Sequence, residues 1–159
     1  MYIKYNREIY ELIYCWLVEK KVISTYKKEK TDSSFYEISD YYAKDFNPDD
    51  PQIESIYDVK FYVYWDSQLE NVEKKWRIET SDYFSSGNVE LCHEGYLPGW
   101  RVKEKGYSTT QIHPDQIEGY SVEYIYVVKD GKKLEEPLII EKDVNREEFE
   151  KIIDECEEA

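Results

Sequence analysis

Two acidic residues, Asp58 and Glu79, lie at the ends of two predicted strands. The β-branched and aromatic stretch YDVKFYVYW predicts a strand over residues 57–65, with Asp58 at its start. KWRIET, residues 75–80, predicts a second strand with Glu79 at its end. Because a hairpin places the end of one strand beside the start of the other, we expect the two carboxylates to converge.

A metal ion is the chemistry that such a pair of carboxylates suggests. Two close carboxylates repel each other unless a cation lies between them. Mg²⁺ prefers one or two carboxylates, several waters and phosphate oxygens of a substrate, and Mn²⁺ accepts similar ligands. The sequence therefore predicts a Mg²⁺ or Mn²⁺ site at Asp58 and Glu79, where a bound ion would polarise a phosphodiester and activate a water. The alternative is that both residues are ordinary solvated strand ends.

Other motifs that carry chemistry are absent from the sequence. It has no phosphate-binding loop, no dinucleotide fingerprint, no nucleophile elbow and no H-E-x-x-H. His93 and His113 are not at metal-ligand spacing, and Cys15, Cys92 and Cys156 form no C-x-x-C pair. The cysteines therefore support neither a disulfide framework nor a zinc ribbon, and they favour a reducing compartment.

The elements around these residues predict an α+β fold. Apolar residues at helical spacing predict an N-terminal amphipathic helix capped by Asn6, and they are Ile9, Leu12, Ile13, Trp16 and Leu17. Further strands are predicted at NVELC, at residues 121–128 and at PLIIE, with a hairpin turn at Asp130 and Gly131. A C-terminal helix begins at Asn145 and presents Phe149, Ile152, Ile153 and Cys156. We expect a single domain over residues 1–159, with a mixed central β-sheet flanked by the two helices.

The net charge of −14 bears on the partners of this protein. Such a charge repels nucleic acid at long range, so a DNA partner requires a local basic path or bridging metal ions. The alternative is that the acidity itself is functional, as in a protein that imitates a phosphate backbone. No apolar run approaches membrane-spanning length, and the N-terminus is too charged for a signal peptide, so we expect a cytoplasmic protein without a membrane partner.

Four segments in order resemble the layout of PD-(D/E)XK nucleases of the phage and archaeal-virus type. They are DFNPDDPQIESIYDVKF, WRIETSDYFSSGNVELCHEGYLPGW, GYSTT and YSVEYIYVV. The resemblance assigns the catalytic aspartate to Asp58 and the glutamate of Glu-x-Lys to Glu79. It implies a restriction-endonuclease-like core and a metal-dependent nuclease that hydrolyses DNA, encoded by a virus or a mobile element.

The other positions of the nuclease pattern match this sequence only in part. The lysine of Glu-x-Lys falls on Ser81, which cannot supply its positive charge, so the charge would come from Lys74 or Lys75 or be missing. Residues 86–88 match the Ser-Gly-Asn turn, and residues 99–100 match the Gly-Trp element. The acid of the first helix would be Glu8 or Glu11.

Basic residues offer two candidate contacts with DNA. Arg101, Lys103 and Lys105 lie in the loop GWRVKEKGYSTT, where they could bind phosphates. A second basic patch comprises Lys27, Lys28 and Lys30. Ordinary solvated surface is the alternative for both.

Two functions remain open from the sequence. One is the metal-dependent nuclease. The other is a non-catalytic acidic binding protein, such as an inhibitor, an immunity protein or a DNA mimic, that acts on a basic host protein. The mimic would use spread carboxylates such as Asp45, Asp49, Asp50 and Glu54. The oligomeric state stays open, with a dimer among the options.

Overall fold

Antiparallel strands make up most of this protein. The computed structural model describes residues 1–84 and 87–159. Within those ranges, the strands are β1 (Tyr2–Tyr5), β2 (Glu8–Cys15), β3 (Lys20–Thr25), β4 (Tyr36–Ile38), β5 (Tyr41–Asp45), β6 (Ile53–Tyr64), β7 (Lys75–Ile78), β8 (Val89–Glu94), β9 (Arg101–Glu104), β10 (Tyr107–Ile112), β11 (Gly119–Lys129) and β12 (Lys132–Val144). The helices are α1 (Thr80–Phe84) and α2 (Arg146–Glu157), and short 3-10 turns cover Lys28–Lys30 and Pro114–Gln116.

The predicted α+β class with a restriction-endonuclease-like core is therefore wrong. The fold is dominated by a large antiparallel sheet with few helices. Its strand order is β12-β11-β6-β1-β2-β3-β5-β4, and β7 also pairs with β6. A second, three-stranded sheet has the order β8-β10-β9. The mixed sheet that was expected is replaced by antiparallel pairing at every register recorded for these strands.

The N-terminal helix was the main error, since Glu8–Cys15 is a strand. Asn6 and Arg7 have φ angles of 49° and 67°, so they form the two-residue turn of a hairpin in which Tyr5 faces Glu8. Such turns require positive φ at both central residues, and their twist matches that of the paired strands. Tyr10 and Leu12 then become buried at a period of two residues, as strand pairing requires.

Two compact units divide the chain. The first comprises Met1–Val59, Tyr124–Ile140 and Lys151–Ala159. A cluster of buried side chains in this unit comprises Ile3, Tyr5, Tyr10, Leu12, Ile23, Ile53 and Ile56. They come from β1, β2, β3 and β6, so neighbouring strands of one sheet share this core.

The second unit comprises Lys60–Glu123 and Glu141–Glu150. Phe149 of α2 is fully buried there. Its ring centroid lies 5.5 Å from that of Phe61, 5.5 Å from that of Tyr83 and 4.7 Å from that of Tyr120. Aromatic rings at such separations pack favourably, so Phe149 fixes the first half of α2 in this unit.

Several local predictions are confirmed. β6 and β7 form the expected hairpin, with Phe61 opposite Ile78. The C-terminal helix begins as expected, because the Glu148 N–H donates to Asn145 Oδ1 at 2.8 Å. Asp130 and Gly131 have positive φ angles between β11 and β12. The single-domain prediction stays a prediction.

The N-terminal turn yields a test of strand against helix. We expect Arg7→Gly to raise the free energy of unfolding by up to about 1 kcal/mol, because glycine adopts positive φ without strain. A helix beginning at Asn6 would instead lose up to about 1 kcal/mol on the same change. As the matched control, Arg7→Val should lower the free energy of unfolding by about 1 kcal/mol or more. Urea denaturation of the three proteins measures both effects, and the opposite ranking of the two variants would contradict the turn.

Candidate functional site

Asp58 lies inside β6, which begins at Ile53, so the prediction that it starts the strand is wrong. It belongs to the first unit, and its carboxylate is half exposed. Its Oδ1 atom is 3.4 Å from the amino nitrogen of Met1. The Met1 ammonium is therefore a positive charge beside the Asp58 carboxylate, at the position where a metal ion was predicted.

Glu79 follows β7 in the second unit and is exposed. Its Oε1 atom is 3.7 Å from Nη2 of Arg77, a neighbour two residues away. The Glu79 N–H donates to Asp82 Oδ2 at 3.1 Å, and the Asp82 N–H donates to the Glu79 carbonyl at 3.1 Å. This reciprocal turn ends the strand at Ile78, two residues before the end of the predicted strand, and starts α1.

Ser81, at the position of the motif lysine, lies in α1 and not on a strand. The two lysines proposed as substitutes each have another partner. Lys74 is 3.2 Å from Asp66, and Lys75 binds Glu141 while its ammonium lies 4.4 Å from the centroid of the Tyr62 ring. Both lysines proposed to replace the missing charge at Ser81 are thus paired with other carboxylates.

A larger metal centre is not formed by the part of the chain that the structure describes. Over residues 1–84 and 87–159, no group of three or more histidine, cysteine, aspartate or glutamate side chains could hold a metal ion. The Mg²⁺ or Mn²⁺ site at Asp58 and Glu79 uses only two carboxylates, so it stays a prediction.

The predicted basic loop begins on a strand. Arg101 and Lys103 lie on β9, and Lys105 lies in the turn that follows. Lys103 Nζ donates to Glu90 Oε2 at 3.1 Å, and this bond raises the pKa of Lys103. One of the three positive charges proposed for DNA, that of Lys103, is therefore paired with a carboxylate of the chain itself. The DNA contact of this loop stays a prediction.

A cluster of aromatic residues was missed by the sequence analysis. It contains Trp65, Trp76, Trp100 and His93, and the rings of Trp76 and Trp100 have centroids 5.3 Å apart. The predicted Gly-Trp element at residues 99–100 thus contributes Trp100 to packing. The predicted turn at residues 86–88 includes Ser86, which lies outside the described residues. No spacing pattern in the sequence joins these four aromatic residues.

A cleft of about 330 Å³ lies beside this cluster, with Trp76, His93, Cys92 and Arg77 among its walls. His93 Nδ1 is buried and has no hydrogen-bond partner among the described residues. Buried polar atoms are normally satisfied. No further geometry in this cleft identifies a ligand.

The second basic patch is partly structural. Lys30 Nζ donates to the carbonyl oxygens of Ile9 and, at 3.4 Å, of Glu158, and it lies 4.7 Å from the centroid of the Tyr10 ring. Burial lowers the pKa of Lys30. With Lys27, it lines a cleft of about 270 Å³. Lys30, in the 3-10 turn after β3, therefore links β2 to the end of α2.

The four carboxylates proposed for a DNA mimic all have partners within the chain. Asp45 pairs with Lys20 at 2.7 Å, Asp49 with Lys133 at 2.8 Å and Glu54 with Lys4 at 3.3 Å, and Asp50 accepts a hydrogen bond from Tyr5 at 3.2 Å. Three of the four negative charges are thus paired with a lysine, whereas Asp50 accepts from the neutral Tyr5 hydroxyl.

A different group of acids is exposed at the end of α2. We call it the acidic turn, and it comprises Asp154, Glu155, Glu157 and Glu158. Within residues 1–84 and 87–159, none of the four makes an ion pair, and the last turn of α2 has no basic residue. The C-terminus of a helix carries partial negative charge, so carboxylates there are unfavourable. The sequence DECEEA shows the cluster of acids, but it does not show that these acids lack ion-pair partners in the described part of the chain.

Comparison of the chain with known protein families, with curated proteins and with solved structures gives no match. The resemblance to PD-(D/E)XK nucleases therefore stays a hypothesis that rests on the residues quoted for it. Among the helices in the described ranges, none is long and apolar enough to cross a membrane.

The acidic turn yields a stability prediction. We expect Asp154→Asn and Glu157→Gln each to raise the free energy of unfolding by about 0.3–1 kcal/mol, because each removes a negative charge from the negative end of α2. Glu147→Gln is the matched control, since Glu147 lies in the first turn of α2, where a carboxylate is favourable. It should lower the free energy of unfolding by a similar amount. Denaturation at low salt measures all three, and equal signs at both ends would contradict the prediction.

Proposed function

We propose that this protein binds a basic protein partner without catalysing a reaction on it, as an inhibitor, an immunity protein or a DNA mimic does. The observation that carries the proposal is the acidic turn. Four exposed carboxylates occupy the end of a helix, where they oppose its dipole, and none of them forms an ion pair with a basic side chain among the described residues. Lys27 and Lys30 line a cleft beside Glu155 and Glu158, and Lys30 interacts electrostatically with Glu158. A cationic partner would offset the repulsion between the carboxylates and the dipole on binding.

The overall charge supports the same proposal. The chain has 35 acidic and 21 basic side chains, so a surplus of negative charge remains even if every basic side chain is paired. A surplus of this size attracts a basic partner over long distances and speeds its association. It also disfavours a nucleic-acid ligand, whose phosphates carry the same sign.

The surroundings of the predicted catalytic residues favour binding over catalysis. Asp58 has the Met1 ammonium beside it, and Glu79 has Arg77. Both carboxylates thus have a cation from the chain itself. Ser81 adds no positive charge for activating a water.

A basic peptide tests the acidic turn directly. The probe is a synthetic peptide of alternating lysine and arginine with a fluorescent label, and the readout is anisotropy at low and high salt. The test variant replaces all four carboxylates of the acidic turn by their amides. We expect its affinity to fall at least about tenfold at low salt, and the wild-type affinity to fall with added salt.

The control variant removes the same charge elsewhere. It carries Glu19→Gln, Glu37→Gln, Asp40→Asn and Glu70→Gln, four exposed carboxylates outside the acidic turn. Under the proposal, this variant keeps most of the wild-type affinity. Equal losses in the two variants would show that net charge alone attracts the peptide, and would refute the role of the acidic turn.

The metal-dependent nuclease is the second candidate, because the hairpin of β6 and β7 on which it rests is present. Its test is a cleavage assay on duplex DNA, single-stranded DNA and RNA with Mg²⁺, Mn²⁺ or EDTA. Our main proposal expects no metal-dependent cleavage by the wild-type protein. Cleavage that disappears in Glu79→Ala but persists in Glu73→Ala, a nearby exposed control, would overturn it in favour of the nuclease.

A further inference from the structure

The strand β12 is an open edge of the large sheet. It has 13 residues and pairs with β11, and it stands at the end of the strand order. In the described part of the chain, no strand pairs with its other side. A long edge strand presents a row of backbone N–H and C=O groups to any strand that can pair with it.

Three consecutive apolar residues of β12 are exposed. The exposed fractions are 43% for Leu138, 61% for Ile139 and 36% for Ile140. Successive side chains of a strand point to opposite faces of the sheet. The edge is therefore apolar on both faces at this point, and a partner strand would cover both.

The sequence of β12 is complementary to itself in one antiparallel register. When Ile139 faces Ile139 of a second copy, Leu138 faces Ile140 and Glu136 faces Lys142. Because the arrangement is twofold symmetric, each of the last two pairs occurs twice. Apolar residues then face apolar residues, and opposite charges flank them, which stabilises paired strands.

Neighbouring registers are less favourable. A shift by one residue in one direction places Glu136 opposite Glu141 in both halves, and like charges directly opposite are destabilising. A shift in the other direction places Leu138 opposite Glu141, an apolar residue against a carboxylate. The register about Ile139 avoids both.

The pairing has two costs. Pro137 lacks an N–H and faces Glu141, so a hydrogen bond is absent there in each half. Glu135 faces Asp143, which has the same charge. Both costs weaken the association without removing its apolar centre, so a reversible contact is expected.

We propose that two copies of this protein associate through antiparallel pairing of β12 with β12 about Ile139. The contact is isologous, with the same strand on both sides of a twofold axis. It is independent of the binding function proposed above, because the acidic turn lies on a different element. It also differs from a pairing of C-terminal helices.

Sedimentation of the full chain over a range of concentrations tests the association. We expect the wild-type protein to form a dimer as its concentration rises, and Ile139→Lys to remain monomeric. Leu17→Lys is the control, since Leu17 is exposed to 73% and lies outside β12. It should dimerise as the wild type does. A wild-type protein that stays monomeric throughout, or a control that loses dimerisation too, would overturn the proposal.

A charge exchange tests the register. Glu136→Lys places two cations opposite each other and should weaken dimerisation about tenfold. Lys142→Glu should weaken it similarly, although it also removes an exposed ion pair of 3.3 Å with Glu148. The double variant should restore dimerisation toward the wild-type level. A double variant that dimerises no better than either single variant would refute this register. Single variants that both dimerise as the wild type does would refute it as well, because Glu136 and Lys142 would then not face each other.

Discussion

The backbone of β6 is the constraint on which most of the sheet depends. This 12-residue strand pairs with β1, with β11 and with β7. Ile56, Phe61 and Val63 are buried along it, so its register decides which side chains enter the cores. A slip of one residue would turn each of them to the opposite face. The irregularity between Lys4 and Tyr5 in the pairing of β1 shifts the register locally, and it lets Tyr5 face Ile53 while both remain buried.

The sequence predicted most strands after residue 56 and the C-terminal helix because several local signals agreed there. β9 and β10 were missed, because the polar, lysine-rich segment that contains β9 and the start of β10 was predicted as a loop. At Asn145, the capping pattern and the apolar period support the same helix, and the hydrogen bond to Glu148 has the expected partners. The N-terminal segment was different. Ile9, Leu12 and Ile13 suit a helical face, but they also suit a strand covered on both sides. Trp16 and Leu17, which completed the helical period, lie exposed in the turn after β2.

The candidate site was harder to predict because its chemistry depends on neighbours that are distant in sequence. The hairpin between β6 and β7 was predicted correctly, and Glu79 does follow the end of β7. Asp58, predicted at a strand start, lies inside β6 instead. That the Met1 ammonium would lie beside Asp58 depends on the pairing of β1 with β6, which the predicted helix excluded. The same holds for the tryptophan cluster, whose members come from separate elements.

Among the described residues, some acidic side chains of this protein have ion-pair partners and others do not. Some carboxylates on the strands have a lysine partner, as Asp45 and Glu54 do, so their charge is offset within the fold. The acidic turn differs because it gathers four carboxylates, none with an ion pair among the described residues, at the negative end of a helix. Lys30 lies beside it, where it donates to the Glu158 carbonyl and interacts electrostatically with Glu158. Departures from local rules tend to persist where function requires them. By this reasoning, the end of α2 is more informative about function than the acids on the sheet that have a lysine partner.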